Sequence, residues 1–395
     1  MGKWEMVRLG DVGNILTGNT PKTNDPKNYI SNDICFFKPS DIDEDKVSIL
    51  NESENHISNY AKEKARIAPV NSVLVTCIGI VGKIGIIKKE GSFNQQINCI
   101  LPNSDICEPR YLAYAILNIR HHLNHIANAA VVPIINKSQF SDVQIPVPPL
   151  DAQEKIADIL DHASALIEKR KAQIAKLDLL VKSQFIQMFG SPVANTHKWE
   201  TGTIRDIVTE AKYGTSNPSI VGGQYPYLRM NNITYSGHLD INDLKYIDMP
   251  ENEIEKYIVR KGDVLFNRTN SKELVGKTCV FDLDEPMIIA GYIIRVRLNE
   301  RATPYYLSAV LNSDYGKQTL REMCKAIIGQ ANINAQELQD IRILIPPVEL
   351  QYHFTNLVRA IENAKTEMQH GLHRLEVLYK SLMQKCFNAT LHVAN

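Results

Sequence analysis

The chain has 395 residues, of which 44% are hydrophobic and 22% are charged, and this length can bury one or two apolar cores. Its 44 basic and 44 acidic residues cancel, which excludes a polyanion binder that relies on a globally positive surface and leaves local patches or a partner for such binding. The seven cysteines form no CxxC pair, as is typical of buried thiols in a reducing compartment. We find neither a signal peptide nor a membrane-spanning apolar run, so a cytoplasmic protein with no membrane contact is expected.

The first half of the sequence recurs in the second half. Trp4 matches Trp199 at an offset of 195 residues, and the stretch EPRYLAYAILN is followed at nearly the same offset by ATPYYLSAVLN. The later stretch VQIPVPPLDAQEKI matches IRILIPPVELQYHF, with Gln153 opposite Gln351 at an offset of 198. Because a solenoid repeat is only about 20–50 residues long, this period indicates two copies of a whole domain with an attached element.

Each copy begins with short strands and ends with a helix, a strand and a proline pair. Apolar residues alternate with polar ones between glycine turns in NSVLVTCIGIVGKIGII of copy one and in GDVLFNRTNSKELVGKTCVFDL of copy two, a pattern that predicts short strands. Helical stretches RYLAYAILNIRHHL and PYYLSAVLNS follow, and then the strand-like VQIPV and IRILI. The sequence therefore predicts an α+β fold with two similar mixed α/β globular domains.

After each proline pair the apolar residues recur at alternate steps of four and three. Eight of ten such positions from Ile156 to Met188 are apolar, as are nine of ten from Phe354 to Cys386, which predicts a coiled-coil seam. At 1.5 Å per residue, a helix over residues 151–189 would be roughly 58 Å long. The predicted seam residues are Ile156, Leu160, Ile167, Ile174, Leu177, Val181, Phe354, Val358, Ile361, Leu372, Leu375 and Leu382.

Two arrangements of these long helices are open. Each helix can pack on its own domain as ordinary core, or the two can pair as an antiparallel coiled coil, and the narrow apolar stripe favours pairing. We predict a first globular domain at 1–150, a central long helix at 151–190, a second globular domain at 191–348 and a C-terminal long helix at 349–395. Two related domains held at a fixed separation suit a linear ligand read in two places, and duplex DNA, with half-sites about 34 Å apart on one face, is the obvious candidate.

Several stretches resemble the DNA-specificity subunit of type I restriction-modification systems, and their order in the two copies is the specific signal. They are the opening WEMVRLGDV, VLVTCIGIVGKIGI at 73–86, SFNQQINCI at 92–100, DVLFNRTNSKELVGK at 263–277, and IPVPPLDAQEKI before a long helix. The resemblance covers essentially the whole chain. It implies two target-recognition domains, at 1–150 and 191–348, each of which reads one half of a bipartite, asymmetric double-stranded DNA target.

The same resemblance implies partners and a division of labour. The paired helices would set the spacer between the half-sites and dock two methyltransferase subunits for adenine-N6 methylation. The chain itself would be non-catalytic and hold no cofactor, with S-adenosylmethionine on the partner methyltransferase and with ATP and Mg on a restriction/translocase subunit where one is present. When the partner subunits are absent, we expect that the chain can self-associate through the exposed surface of its helices.

Several stretches resemble part of a catalytic or metal-binding motif, but their neighbouring residues do not complete the motif. An adenine methyltransferase needs a motif such as D/N-P-P-Y/F, but Asn217-Pro218 continues as Ser-Ile. GKT at Gly276 is a partial Walker A with no Gly-rich loop before it, so a strand turn is the simpler interpretation. His121 and His125 have metal-ligand spacing, but no glutamate completes H-E-x-x-H. We therefore expect no catalytic residue and no metal site.

Polar residues in glycine-flanked or polar loops are the candidates for contact with DNA. Arginine can bond to guanine, asparagine and glutamine to adenine, and lysine to phosphate. The predicted DNA-binding residues are Lys22, Thr23, Lys38, Lys83, Gln95, Gln96, Tyr213, Ser216, Arg229, Arg268, Asn270, Lys272 and Lys277. Lys83 and Lys277 occupy matching Gly-Lys positions and are predicted to bind phosphate, whereas Arg268 and Asn270 are the stronger candidates for reading bases. The alternative for each residue is a solubilising surface side chain.

Two other functions are open beside DNA recognition. A coiled-coil scaffold that joins two protein-binding domains without DNA recognition would also explain the duplication, and salt-dependent DNA binding would eliminate it. An enzyme whose site uses no familiar motif would be supported by turnover of the purified chain. A DNA-recognition subunit is the leading hypothesis, because it explains the duplication, the seam and the neutral charge together.

Overall fold

The computed structural model describes residues 4–127, 132–271, 274–324 and 331–387. Contacts divide the chain into two compact units, which we describe separately: unit 1 comprises Met1–Lys171 and His370–Asn395, and unit 2 comprises Ala172–Gln369. We call the part of unit 1 before the first long helix head 1, and the part of unit 2 between the long helices head 2. Within the described residues, no helix has the length and apolar character that crossing a membrane requires.

Head 1 is built from short strands connected by turns and small helices. Its strands are β1 Glu5–Arg8, β2 Gly13–Thr17, β3 Ile34–Phe37, β4 Val47–Leu50, β5 Asn55–Ile57, β6 Ile67–Ala68, β7 Val73–Thr76, β8 Ile84–Ile87, β9 Gly91–Phe93, β10 Ile97–Pro102 and β11 Gln144–Val147. Its α-helices are α1 Leu9–Val12, α2 Pro109–Asn118, α3 Arg120–Ile126 and α4 Lys137–Asp142, and short 3₁₀-helices lie at Pro26–Tyr29, Pro39–Asp41 and Asn59–Lys64. The first long helix, α5, follows at Leu150–Phe189.

The strands of head 1 form two sheets and one strand pair. A five-stranded sheet has the order β2-β10-β7-β8-β4, and a four-stranded sheet has the order β5-β3-β9-β6. Strands β7 and β8 bury all their residues, as expected of central strands rich in β-branched side chains and covered on both faces. Strand β1 pairs antiparallel with β11, with Glu5 opposite Val147, so the start of the chain is tied to the strand that leads into α5.

Head 2 repeats this construction. Its strands are β12 Glu200–Thr203, β13 Val208–Tyr213, β14 Tyr225–Leu228, β15 Lys245–Ile247, β16 Ile258–Val259, β17 Val264–Asn267, β18 Thr269–Asn270, β19 Thr278–Val280, β20 Met287–Ile289, β21 Ile293–Leu298, β22 Ala331–Asn332 and β23 Arg342–Ile345. Its helices are α6 Glu251–Tyr257, α7 Pro304–Asn312, α8 Asp314–Met323 and α9 Ala335–Gln339, with 3₁₀-helices at Ile204–Ile207 and Met230–Asn232. The second long helix, α10, spans Val348–Phe387.

The sheets of the two heads correspond. Head 2 contains the sheets β13-β21-β17-β19 and β15-β14-β20-β16 and the pairs β12-β23 and β18-β22. In β12-β23, Glu200 lies opposite Ile345, which repeats the β1-β11 pairing. The parallel pair β3-β9 of head 1 recurs as β14-β20 in head 2, and head 1 also pairs β4 parallel with β8. The internal duplication of a mixed α/β domain is therefore confirmed.

The long helices pack antiparallel in each unit. In unit 2, Lys365 Nζ of α10 lies 2.5 Å from Asp178 of α5, while farther along α5 the Phe185 ring lies 5.7 Å from the ring of Phe354. Residue numbers thus rise on α5 as they fall on α10. All the predicted seam residues are buried or partly buried, so the predicted fold class, with its antiparallel coiled coil, is confirmed.

Each head also completes its core with the beginning of one long helix and the end of the other. The core of head 1 contains Ile156 and Leu160 from α5, and it contains Met383, Cys386 and Phe387 from α10. The corresponding residues in head 2 are Phe354 and Val358 from α10 and Phe185 and Phe189 from α5. The ends of the long helices therefore belong to the cores of the heads. Both arrangements that the sequence left open occur in the same helices, which pair with each other and also pack on the heads.

A buried glutamine ties the start of α5 to head 1. Gln153 is fully buried, and its Oε1 accepts a hydrogen bond of 2.9 Å from the Glu108 N–H. Its Nε2 donates to the carbonyls of Ile106, at 2.9 Å, and of Pro148, at 2.7 Å. One side-chain amide thus bonds three backbone groups where a strand, a loop and a helix meet.

Gln351 does the same at the start of α10. Its Oε1 accepts from the Thr303 N–H at 2.9 Å, and its Nε2 donates to the carbonyls of Arg301 and Pro346 at 3.0 and 2.8 Å. A proline pair has no N–H groups and precedes a helix easily, and the glutamine bonds the carbonyl of the first proline. The recurrence of Pro-Pro and glutamine in the sequence therefore reflects one structural junction that is used twice.

We predict that Gln351→Leu destabilises unit 2 by about 2–4 kcal/mol, because leucine leaves the buried Thr303 N–H, the buried Pro346 carbonyl and the part-buried Arg301 carbonyl without the bonds that Gln351 makes. Gln153→Leu should have the same effect in unit 1. Urea unfolding, combined with hydrogen exchange resolved by unit, measures both losses. The control is the exposed Gln173 on α5, whose change to leucine should cost less than about 0.5 kcal/mol. Equal stability of the control and the Gln351 variant would contradict the prediction.

Candidate nucleic-acid interface

Four of the predicted DNA-binding residues meet at one edge of head 2. The Arg268 guanidinium lies over the Tyr213 ring, 4.7 Å from its centroid, and the Arg268 N–H donates to the Tyr292 carbonyl at 2.9 Å. Asn270 follows in β18, and the Ser216 hydroxyl faces the residue that precedes Tyr292. We call these five residues loop edge 2. The edge combines an arginine that lies over an aromatic ring with an amide and a hydroxyl, which are groups that can read base edges.

Head 1 has an equivalent edge with different side chains. Thr20 Oγ1 donates to Gln95 Oε1 at 2.6 Å, and the Cys77 N–H donates to the Gln96 carbonyl at 2.8 Å, just as Arg268 does to Tyr292. Ile80 lies in the following turn and is half exposed. We call Thr20, Ile80, Gln95 and Gln96 loop edge 1. The two predicted glutamines therefore occupy the place that Gly291 and Tyr292 take in head 2.

Matching glycines hold the two loop edges in the same backbone shape. The Gly18 N–H donates to the Ile97 carbonyl at 3.0 Å, and the Gly214 N–H donates to the Ile293 carbonyl at 3.1 Å. A Cβ at either glycine would lie 2.1 Å from a backbone carbonyl oxygen, so no larger residue fits there without a shift of the backbone. The shape of the edge is thus set by the backbone, and its chemistry is set by the exposed side chains.

The predicted residues Lys22 and Thr23 lie exposed in the loop that continues from loop edge 1. Beyond them the structure shows a basic and aromatic group that the sequence analysis missed. Lys64 Nζ lies 3.8 Å from the centroid of the half-exposed Tyr60 ring, and Lys27 Nζ lies 5.8 Å from it. The available signal was an aromatic residue among basic ones in NYAKEKAR at 59–66, a composition that suits contact with nucleic acid.

Lys83 and Lys277 lie in matching places, but both ammonium groups bond inside the heads. Lys83 Nζ donates to the carbonyls of Pro39 and Ile42 at 3.1 and 3.0 Å. Lys277 Nζ donates to the Met230 carbonyl at 2.7 Å, and Lys277 is 8% exposed, so that burial lowers its pKa. Both lysines fix a 3₁₀ turn, and their predicted contact with phosphate would require these bonds to break.

Lys38 and Arg229 stand at the beginning of those same turns. Lys38 Nζ donates to Asn55 Oδ1 at 2.8 Å, and Arg229 Nη2 donates to Asp243 Oδ2 at 2.8 Å. In the sequence, Lys38 and Arg229 lie apart from the residues of the loop edges, and both already make these side-chain hydrogen bonds within their own heads. The remaining predicted residue, Lys272, lies outside the described residues. The role of Lys38, Arg229 and Lys272 in DNA binding stays a prediction.

A charged contact joins one loop of each head to the long helices. In unit 1, Lys46 Nζ lies 2.5 Å from Glu168 Oε2 of α5. In unit 2, Lys365 Nζ of α10 lies 2.5 Å from Asp178 Oδ1 and 3.1 Å from His238 Nε2 of head 2. Lys46 and His238 belong to equivalent loops, which follow the 3₁₀ turns at Pro39–Asp41 and Met230–Asn232. Each head is therefore fixed to the helix pair by polar contacts as well as by its core.

Comparison with known proteins identifies the family of this duplicated fold. The family described as "Type I restriction modification DNA specificity domain" matches residues 1–177 and 196–374. The chain belongs to this family, the DNA specificity subunits of type I restriction-modification systems, and it carries two repeated target-recognition domains. Its role in DNA sequence specificity follows from this membership.

Individual relatives cover nearly the whole chain. The type I restriction enzyme EcoKI specificity subunit of Escherichia coli K12 is 24% identical over 98% of this chain and 89% of its own length. The MjaIX specificity subunit of Methanocaldococcus jannaschii is 22% identical over 99% and 94%. A solved type I restriction-modification S subunit from M. genitalium superposes with a TM-score of 0.58 at 13% identity, over 98% of this chain and 96% of its own, a likeness of fold.

We predict that Arg268→Ala weakens binding of the full-length chain to its own DNA target by about 1–3 kcal/mol and relaxes specificity at one base position. Competition binding on a set of single-base variants of the target measures both effects. Arg205, an exposed arginine of head 2 paired with Asp340, provides the control, and its change to alanine should leave the base preference intact. A uniform loss on every sequence, with a lower salt dependence, would instead assign Arg268 to phosphate.

Proposed function

We propose that this chain recognises a bipartite, asymmetric double-stranded DNA target and that each head reads one half-site. The observation that carries the proposal is the pair of loop edges, which share one backbone shape but present different donors. Loop edge 1 offers glutamine amides, which suit adenine, and loop edge 2 offers an arginine and an asparagine, which suit guanine and adenine. Two heads with the same fold but with different side chains on their loop edges would read two different DNA sequences.

The paired helices would set the spacing between the half-sites. Both heads use the same helices, because each core contains the beginning of one and the end of the other. A head that is fixed by core packing and by an ion pair has little freedom to tilt on its helix. A constant gap between the half-sites is therefore expected.

Matching apolar surface on the helices supports two equal docking sites for methyltransferase subunits. Leu179 and Leu180 on α5 are 63% and 40% exposed, and Val377 and Leu378 on α10 are 54% and 53% exposed. The two pairs are 198 residues apart, which is the offset of the duplication. Exposed apolar side chains that recur at equivalent places are typical of protein interfaces. We propose that each pair binds one methyltransferase subunit, and that isolated chains associate through the same surface.

We also propose that the chemistry resides on partners. The sequence has no adenine-methyltransferase motif at its Asn-Pro or Pro-Pro positions. S-adenosylmethionine would bind to the methyltransferase subunits, and ATP and Mg would bind to a restriction/translocase subunit. The chain would contribute recognition and geometry without a catalytic residue of its own.

The first test is to co-express the chain with its methyltransferase and to map N6-methyladenine across the host genome. We expect a split motif with a constant gap between its halves. Replacement of residues 1–150 with the corresponding head of a relative should change one half of the motif and keep the other half. Absent methylation or methylation at a continuous short site, together with no salt-dependent DNA binding by the purified chain, would contradict the proposal and favour a protein scaffold.

The second test counts methyltransferase subunits by native mass spectrometry. Wild-type chain should bind two. A variant with Leu179→Glu and Leu180→Glu should bind one, because a buried unpaired carboxylate opposes docking, and so should a variant with Val377→Glu and Leu378→Glu. Ile186 on α5 is 59% exposed but corresponds to the polar Gln384, so Ile186→Glu is the matched control and should still bind two. Two subunits on both double variants would place docking elsewhere.

A further inference from the structure

Three residues of head 1 bring a thiol, a carboxylate and an imidazole together. Cys35 lies on β3 directly opposite His56 on β5, and Glu52 lies in the loop between β4 and β5. The Cys35 Sγ donates to Glu52 Oε2 at 3.4 Å, and His56 Nε2 lies 3.3 Å from the same oxygen. All three ligand atoms lie within 4.8 Å of one another. We call these residues the Cys-Glu-His cluster.

Two of the three ligand separations in this cluster match the edges of a tetrahedral zinc site. With Zn–S near 2.3 Å and Zn–N and Zn–O near 2.0–2.1 Å, neighbouring ligand atoms of a tetrahedron lie about 3.3–3.5 Å apart. The two measured separations, 3.4 and 3.3 Å, fall in this interval. Thiolate, imidazole and carboxylate together form a ligand set that suits Zn²⁺.

The surroundings hold the ligands in place. Ser53, between Glu52 and the strand of His56, accepts a hydrogen bond from the Phe36 N–H at 3.0 Å and donates to the Asn55 carbonyl at 2.5 Å. Lys89 Nζ donates to Glu52 Oε1 at 2.8 Å, which leaves Oε2 for the cluster. An outer hydrogen bond of this kind on the second oxygen of a carboxylate ligand is common in metal sites.

A second group of residues is less suited to a metal ion. Asp178, His238 and Glu362 in unit 2 also bring their ligand atoms within 4.8 Å of one another. There, however, the Lys365 ammonium contacts two of the three residues, at 2.5 Å from Asp178 and 3.1 Å from His238. In the Cys-Glu-His cluster Lys89 bonds only Oε1 of Glu52, while Oε2 faces Cys35 and His56.

We propose that Cys35, Glu52 and His56 form a mononuclear Zn²⁺ site in head 1, with the fourth position open to water. Binding transfers the Cys35 proton to solvent, and the thiolate, the Glu52 carboxylate and the neutral His56 ring bind through Sγ, Oε2 and Nε2. The two negative ligands balance the charge of the ion. Burial raises the pKa of the Cys35 thiol, so the metal-free cysteine is protonated at neutral pH and one proton is released per ion.

The consequence for head 1 is a cross-link between β3, β5 and the loop that precedes β5. Strand β5 begins with Asn55, whose Oδ1 accepts from Lys38, a predicted DNA-binding residue. The ion would therefore stiffen the edge of the sheet to which Lys38 belongs. Head 2 would depend on no such ion, because Pro226 and Tyr246, which lie opposite each other in the β14-β15 pair, stand at the strand positions of Cys35 and His56.

The test is a Co²⁺ titration of the metal-stripped, full-length chain without DNA, followed by optical spectroscopy. We expect one Co²⁺ per chain, with a near-ultraviolet thiolate-to-cobalt charge-transfer band that Zn²⁺ abolishes. Cys35→Ser should remove the band. Glu52→Gln and His56→Gln should weaken Co²⁺ binding by at least about 10-fold, and since the Glu52 side chain is 63% exposed, the Glu52 variant should remain folded.

Two matched variants serve as controls. Cys107→Ser changes another buried cysteine of unit 1, and His238→Gln changes a histidine of the cluster that Lys365 occupies. Both should keep the band and the affinity of the wild-type chain. The absence of a charge-transfer band at saturating Co²⁺, or equal affinities of the His56 and His238 variants, would overturn the proposal. Because no step uses DNA, this result is independent of whether the chain reads a bipartite target.

Discussion

The structure depends on one buried amide at each junction between a head and a long helix. A strand must end, a proline pair must follow, and a helix of 40 residues must leave in a fixed direction. Three backbone groups would be left unpaired at this corner, and the side chain of Gln153 or Gln351 bonds all of them. Because one side chain makes all three bonds, a shift of the helix would break them together, and the direction of the helix is therefore set at its first turn.

The direction of the helices matters because both long helices supply part of the core of each head. The beginnings and the ends of the helices both enter the hydrophobic clusters, so neither head is complete without residues that lie far away in sequence. The aromatic ring group of Phe185, Phe189, Tyr306 and Phe354 shows this most plainly, since its members come from both long helices and from α7. Folding of the two halves of the sequence is thereby coupled.

The sequence predicted the elements that depend on spacing, and it missed those that depend on pairing in space. The duplication and the seam follow from offsets and from a four-three period, and the predicted first helix at 151–190 differs by one residue from the observed Leu150–Phe189. The two loop edges were found only in part. Arg268 and Asn270 stood out as polar residues in a loop, but Tyr292 joins them through strand order that no local pattern reveals.

The environments of two lysines and one cysteine also could not be predicted from the sequence. Lys83 and Lys277 were recognised as equivalent, yet a Gly-Lys pair does not tell whether the ammonium faces solvent or the carbonyls of a 3₁₀ turn. Cys35 lies 17 residues from Glu52 and 21 from His56, a separation that matches no familiar metal motif, and only the β3-β5 pairing brings the three side chains together.

The glycine turns at residues 18 and 214 have a consequence for the evolution of such proteins. Backbone bonds shape each loop edge, whereas stability resides in the helix junctions and the shared cores. Mutations on the edge can therefore accumulate with little loss of fold. Under the proposed function, exchange of a whole head would leave the proposed docking surface of the helices unchanged, and a new DNA specificity would require no change in the partner subunits.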